Sequence, residues 1–395
     1  MNSVEEWVLN NKSKIEKGVE LLGQGCEALA GTVGKLHPLL EAAFLASAKL
    51  LHDPESKDSV YLQGQLRGLD RALAGITKET AAIAQEMQRS SLNKQNFDRE
   101  AQVISQYEKF RDFLESRPEF RERRRERFLV HFESTGADLS LVALYNAVVG
   151  ASADGEPLLD AVVAMERRSR RAVEEFCAQL KRLFLAGVVA VLGHAALRGD
   201  DRGRELVRKW QERLEEVEER ARAAVEDCIR NFAAQAKEDV ERRLQGESGG
   251  GADARLVRTL LDLLSQKYDW VSWSVCAVKH RGMFLWDWLA GREYHGRAGG
   301  RDCSFDVLTT SNAMVQVSFS VRPQPIDKSR VQEEIHRRKL KGKMAAVALS
   351  LGDSLSECAV LAVSRYKEVA ESNTFPEDCY YYKEHRRAYL CIHSK

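Results

Sequence analysis

Residues 183–197 read LFLAGVVAVLGHAAL, an uncharged run set in a neighbourhood dense with Glu, Lys and Arg. Fifteen helical residues rise only ~22 Å, short of the ~30 Å hydrocarbon core of a bilayer. The run is therefore read as the innermost helix of a helical bundle or as a segment that enters a membrane conditionally. Leu183, Leu185, Val188, Val189, Val191, Leu192 and Leu197 are the candidate core or membrane-facing side chains. His194 argues against lipid, because a polar ring is costly in hydrocarbon. Lys181, Arg182 and Arg198 flank the run with charge.

Outward from this run the chain carries helical periodicity. Leu66, Leu69, Leu73, Ile76, Ile83 and Met87 recur at helical spacing from Val60 onward, and Ile104, Tyr107, Phe110 and Leu114 continue the stripe to Pro118. A second stripe runs Leu206, Trp210, Leu214, Val217, Ala221, Val225, Cys228, Phe232, Val240 and Leu244, with Glu and Arg on its other face. Forty such residues make a rod of ~60 Å, and so long an apolar face needs an equally long partner. Leu139–Val149 forms a shorter apolar helix, broken by GASADGEP, and Leu158–Leu197 follows with a charged middle, ERRSRR. The expected first domain is an elongated helical bundle over residues 1–245.

QGESGGGADAR, ending at residue 255, is the clearest linker in the sequence, since three consecutive glycines impose no structure. The expected linker is 246–255 and the second domain 256–395. There the texture turns aromatic and strand-like, with Tyr268, Trp270, Trp273, Trp286 and Trp288 close together. Val315–Val321 alternates apolar and polar residues, the mark of a half-buried strand. Trp270–Val278, Ala345–Leu351 and Tyr389–Ile392 also read as strands. Asp327 opens a helix through Val331, Ile335 and Leu340 that stops at Gly342, and Val360, Val363 and Ala370 suggest a further helix. The fold class expected is a helical bundle followed by a smaller α+β domain.

Composition limits function. At 395 residues there is room for two or three domains, and a net charge of +1 supplies no field for nucleic acid. The N-terminus carries early acids and no apolar signal region, so a cytoplasmic location is expected. Met1-Asn2 lacks the glycine of myristoylation, and Cys391 sits one place too far from the end for prenylation. Eight scattered cysteines in a reducing compartment read as free, mostly buried thiols.

Motifs of chemistry are absent or broken. GQGCEALAGTVGK at 23–35 suggests a phosphate loop, but the pattern needs Gly at 29 and a hydroxyl at 36, and both are leucine. Cys379, His385, Cys391 and His393 are zinc-ligand types at a spacing that matches no common site, so buried thiols and surface imidazoles are the better account. No Ser or Cys stands in a nucleophile context, and no cofactor is expected. The run Arg121–Arg127 reads as a solvated helix face. Tyr380, Tyr381 and Tyr382 beside Arg386 and Arg387 form a candidate interaction surface, weighed against packing at a strand edge.

Four stretches carry a family resemblance: EKGVELLGQG near the start, MQRSSLNKQNFDREAQVISQYEKF at 87–110, KYDWVSWSV at 267–275 and EDCYYYKEHRRAYLCIH at 377–393. They resemble the rapunzel family of fish proteins, over nearly the whole chain. That family is similar in its helical part to cephalotoxin-like proteins, so the resemblance implies a toxin-type helical bundle. It also implies a regulatory role inside cells, linked to growth of fins and skeleton; with no catalytic motif and a net charge of +1, the leading reading is a non-enzymatic protein that works through protein partners and not nucleic acid. The alternative is a membrane-active, pore-forming-like protein that inserts residues 183–197 on forming a homo-oligomer.

Overall fold

The computed structural model describes residues 3–23, 33–52, 55–73, 92–151, 156–199, 203–245, 253–279, 295–299, 302–308, 313–338, 340, 343–365 and 367–395. The chain divides into two compact units, Met1–Cys228 and Ile229–Lys395.

The described first unit is helical: α1 (Ser3–Gly23), α2 (Val33–His52), α3 (Lys57–Leu73), α4 (Leu92–Leu114), α5 (Pro118–Ser134), α6 (Ala137–Val149), α7 (Leu158–Met165), α8 (Arg170–Arg198) and α9 (Gly203–Arg230). Pro118 opens α5, where its missing N–H would have no intrahelical partner. Gly150 (φ 79°) and Gly199 (φ 72°) close α6 and α8 in the left-handed conformation, which glycine adopts without a Cβ penalty. Inside the charged stretch ERRSRR, Arg167 and Arg168 adopt left-handed φ values of 52° and 55°. Residues 158–197 therefore form two helices, α7 and α8.

One apolar core serves this unit. It takes in Leu66 and Leu69 of α3, Phe110 and Phe113 of α4, Phe128 of α5, Leu144 of α6, most of α8, and Val207, Trp210, Leu214, Val217, Ala221 and Cys228 of α9. The described members of the expected helical stripes thus lie on core faces; Ile76, Ile83, Met87 and the side chain of Leu73 lie outside what is described. So do residues 24–32 of the glycine-rich stretch and residues 246–252 of the expected linker.

The second stripe does not run on as one rod. It breaks at Asn231, and its last part is a separate helix, α10 (Phe232–Gln245). Phe232, Ala236, Val240 and Leu244 of α10 bury their apolar face with α11 (Ala254–Lys267) in the second unit. The division of the chain accordingly falls between Cys228 and Ile229, ahead of the glycines at which the sequence suggests a boundary.

The second unit is α+β. One sheet has the order β3-β4-β1-β6, from β1 (Ser272–Lys279), β3 (Ser304–Leu308), β4 (Met314–Ser320) and β6 (Glu368–Asn373). The other has the order β2-β5-β8-β7, from β2 (His295–Ala298), β5 (Cys358–Ser364), β7 (Tyr380–Glu384) and β8 (Ala388–Ser394). All ladders are antiparallel. Trp273, Val275, Val315 and Val317 of the first sheet pack on α10 and α11. Val360, Ala362, Leu390 and Ile392 of the second pack on α12 (Lys328–Arg337) and α13 (Met344–Ser354). Cys276, Val278 and Met314 meet Leu361, Val363, Tyr380 and Cys391 between the sheets. The result is a four-layer helix–sheet–sheet–helix sandwich.

These layers explain where the sequence reading fails. Residues 345–351 are helical and not a strand: Met344, Val347, Ala348 and Leu351 bury one face of α13 at steps of three, one and three. Residues 359–370 are not a helix but the strands β5 and β6. β5 is covered on both faces and so has no polar alternation to betray it. β4 is buried throughout and not half-buried. Its alternation is real, but Gln316 and Ser318 face the second sheet instead of water. Asp327 caps α12 as expected, accepting from the backbone N–H groups of Ser329 and Arg330, and the helix ends at Arg337.

Candidate functional site

The central helix is the first candidate. The run 183–197 sits in a helix of 29 residues, because amphipathic turns carrying Val173, Cys177 and Leu180 precede it. α8 is thus long and apolar enough to cross a membrane by length and composition, which corrects the argument from fifteen residues. The protein itself occupies that surface: Leu183, Leu185, Val188, Val189, Val191, Leu192 and Leu197 are all buried. Their cover comes from α2, α4, α5 and α6. Each such side chain taken from water contributes about 1.5–3 kcal/mol.

Two glycines set the approach of the neighbours. A Cβ at Gly187 would stand 2.6 Å from Leu141 Cδ1, and one at Gly193 would stand 2.2 Å from Phe110 Cε2. The polar groups along α8 have partners as well. Lys181 pairs with Glu218 of α9 at 3.7 Å, both largely out of solvent. Burial pulls the Lys181 ammonium below its ordinary range against the opposing pull of Glu218. His194 stacks on Phe132 at 4.2 Å and lies 3.4 Å from Glu133, which also pairs with Arg198. Burial lowers the pKa of His194. Arg125 donates to the Leu197 carbonyl at 2.9 Å, so α5 satisfies the end of α8.

The second candidate is the β7–β8 hairpin. The tyrosine triplet does not act as one surface, since strand alternation sends its members to opposite faces. Tyr380 and Tyr381 are each 7% exposed, and only Tyr382, at 38%, reaches solvent with Arg386 and Arg387. Tyr381 lies in the core against α12 and α13. Tyr380 points between the sheets. Its hydroxyl lies 2.7 Å from Glu371 Oε1, 2.7 Å from Ser274 Oγ and 2.8 Å from Cys391 Sγ. A phenol has one proton to give. It donates that proton to the Glu371 carboxylate, so the Ser274 hydroxyl and the Cys391 thiol donate to the phenol oxygen.

This network fixes neutral groups. Burial pushes the Cys391 thiol up to about 12 and the Tyr380 phenol well above its usual range. A thiol at such a pKa is a poor nucleophile at neutral pH. His393 accepts from Ser318 Oγ at Nε2 (2.9 Å) and donates from Nδ1 to the Ser394 carbonyl (2.7 Å), and burial lowers its pKa. The four zinc-type residues do not converge on a metal. His385 meets the Tyr381 hydroxyl and Cys379 meets Asp378. Among the described residues no group of three His, Cys, Asp or Glu side chains is placed to hold an ion.

Sequence reasoning missed Ser274 and Glu371, the partners of Tyr380. The alternation of Ser272, Ser274 and Cys276 along β1 was the available signal. Its register sets Ser274 opposite Ser318 and Cys276 opposite Gln316, which makes a polar patch on the face between the sheets.

Residues 52–249 match the family described as the cephalotoxin-like middle helical domain. The match runs from the end of α2 past the end of α10. Protein rapunzel of Danio rerio is 23% identical over 225 residues, which cover 56% of this chain and 97% of that protein. This extent is narrower than the quoted motifs imply. No solved structure matches the chain significantly.

Proposed function

From the premise that this chain belongs to the cephalotoxin-like family through a middle helical domain spanning half its length, and is rapunzel-like, we propose a non-enzymatic regulatory protein of the cytoplasm that works by binding other proteins. A part in fin and skeletal growth is the finer form of this reading, carried by resemblance to the rapunzel family.

One observation supports the binding role above all. The thiols and imidazoles whose titration is shifted are driven toward their neutral forms by burial. Burial raises the thiols of Cys177 and Cys391 to about 12 and those of Cys228 and Cys358 to about 11. It lowers the imidazoles of His131, His194, His385 and His393. Catalytic thiols and imidazoles are ordinarily tuned toward the working pH instead. Affinity capture with the full chain from cytosol is the test. Recovery of discrete, stoichiometric protein partners is expected, and recovery of none would overturn the reading.

A second reading has its own observation in the length and apolarity of α8. At about 1.5 Å per residue the helix is ~43 Å long, so it could span a bilayer if the bundle opened. Against this, 83% of its most apolar window is buried inside the protein. Dye release from vesicles of varied lipid and pH separates the two readings. Leakage that Val189→Arg abolishes would favour insertion, and absence of both leakage and binding would remove it.

A further inference from the structure

The tip of the β7–β8 hairpin is an unneutralised cationic turn at the open edge of a sheet. Lys383, Arg386 and Arg387 are exposed, and none of the three has a carboxylate partner among the described residues. The nearby acid, Glu384, is taken by Arg365 at 2.8 Å. Arg365 also holds the turn in place. Its backbone N–H donates to the Arg387 carbonyl at 3.1 Å, and its guanidinium donates to the Arg386 carbonyl at 3.4 Å. The His385 N–H donates to the Ala388 carbonyl and closes the turn from inside. The turn is thus fixed from both sides, while its three cations face water.

His385 has its pKa lowered by burial first, then by Lys383 and by His336 of α12. Uncompensated cations beside one another raise the energy of the free surface, and an anion relieves it. Guanidinium groups suit carboxylates, which they bind through two parallel hydrogen bonds.

The backbone selects the form of the ligand. Among the described residues, β7 is the last strand of its sheet and pairs with β8. Among the described residues, no backbone hydrogen bond joins Tyr381, Tyr382 or Lys383 to any other segment. An open strand edge accepts an extended chain by backbone pairing. Cations on such an edge discourage pairing with a like-charged copy and favour a strand of opposite charge.

We infer that β7 and the turn at Arg386–Arg387 form a docking edge for an extended acidic peptide segment of a protein partner. The segment adds as a strand beside β7, and its carboxylates meet Lys383, Arg386 and Arg387. This inference rests on the protein-binding reading and gives it an address and a ligand chemistry.

The experiment titrates the full chain into a fluorescent peptide of alternating Glu and Val and reads anisotropy. A Gln/Val peptide and vesicles containing anionic lipid are tested alongside. Saturable binding of the acidic peptide alone is expected, and the Arg386→Glu/Arg387→Glu variant should weaken it about tenfold or more. The charge-matched variant Arg123→Glu/Arg127→Glu, at exposed and unpaired arginines of α5, should leave it unchanged. Lys383→Glu gives an independent second variant on the strand itself. Slowed amide exchange at Tyr382 and Glu384, whose N–H groups point away from β8 in the hairpin register, is the expected sign of strand addition. Equal loss in both arginine variants would reduce the effect to overall charge and overturn the proposal. Binding to anionic vesicles without binding to the peptide would overturn it in favour of a membrane surface. If the peptide fails to bind while the full chain still captures discrete proteins, this inference falls and the wider reading stands.

Discussion

Gly193→Ala sets two effects of opposite sign against each other on the central helix. Alanine is the better helix former by about 1 kcal/mol, so an exposed glycine at this position would gain from the change. Here the added Cβ would lie 2.2, 2.6 and 2.7 Å from three ring atoms of Phe110, against a carbon–carbon optimum of about 3.5–4.0 Å. The ring must retreat by more than ~1 Å. It has nowhere to go, for Phe110 is fully buried and boxed by Phe113 at 6.3 Å and Phe128 at 5.3 Å. Overpacking of this kind costs about 1–3 kcal/mol, which offsets or exceeds the propensity gain and leaves a net loss of up to about 2 kcal/mol. Gly64 of α3 is the control, since a Cβ there meets nothing within 4 Å; Gly64→Ala should stabilise by about 0.5–1 kcal/mol. Urea denaturation followed by far-UV circular dichroism reads the helical unit, and the two midpoints should move in opposite directions. A Gly193→Ala midpoint raised as far as that of Gly64→Ala would refute the packing of α8 on α4.

Other expectations bear on the second unit. Tyr380→Phe strands Ser274, Glu371 and Cys391 without their shared partner and should destabilise the sandwich by about 1–3 kcal/mol, seen as an earlier transition in the fluorescence of the buried Trp273. His393→Gln tests the pH dependence. Its imidazole has a folded pKa below the ordinary 6.5, so the stability it contributes is present above that value and lost as pH falls through the folded pKa. Glu100, pushed up to about 7 by burial, acts in the opposite sense: its contribution is present below its ordinary 4.5 and lost as pH rises through about 7. The histidine share is therefore read as the difference between wild type and His393→Gln, with the variant losing less stability on acidification from pH 7 to pH 5. Thiol labelling of the native chain at neutral pH should modify half-buried Cys303 before Cys177, Cys228, Cys276, Cys358, Cys379 or Cys391, and mass spectrometry locates the adduct.

Helices whose apolar stripe faces one core were legible, because their period survives in the sequence. Trp210, Leu214, Val217 and Ala221 needed no structure to be placed on the buried face of α9. The turn at Arg167–Arg168 was not legible, since arginine carries no preference for the left-handed conformation it adopts there. Strands covered on both faces were the other blind spot. β5 reads CAVLAVS, an apolar run that fits a buried strand or a buried helix equally well. The short α13 erred the other way, because its small residues imitate alternation over a few positions. At the hairpin, the sequence could not tell Tyr380 and Tyr381, which pack inward on opposite faces, from Tyr382, which reaches solvent. That distinction depends on the first sheet, whose Ser274 and Glu371 stand on other strands, β1 and β6, facing the hairpin.

The central claim is that α8 is the permanent core of the helical unit. Amide hydrogen exchange over residues 183–197 of the full chain, with and without anionic vesicles, tests it most directly. The account predicts that these amides are among the slowest in the helical unit and that vesicles leave their exchange unchanged. Rapid exchange in solution, or protection that changes when vesicles are added, would contradict it.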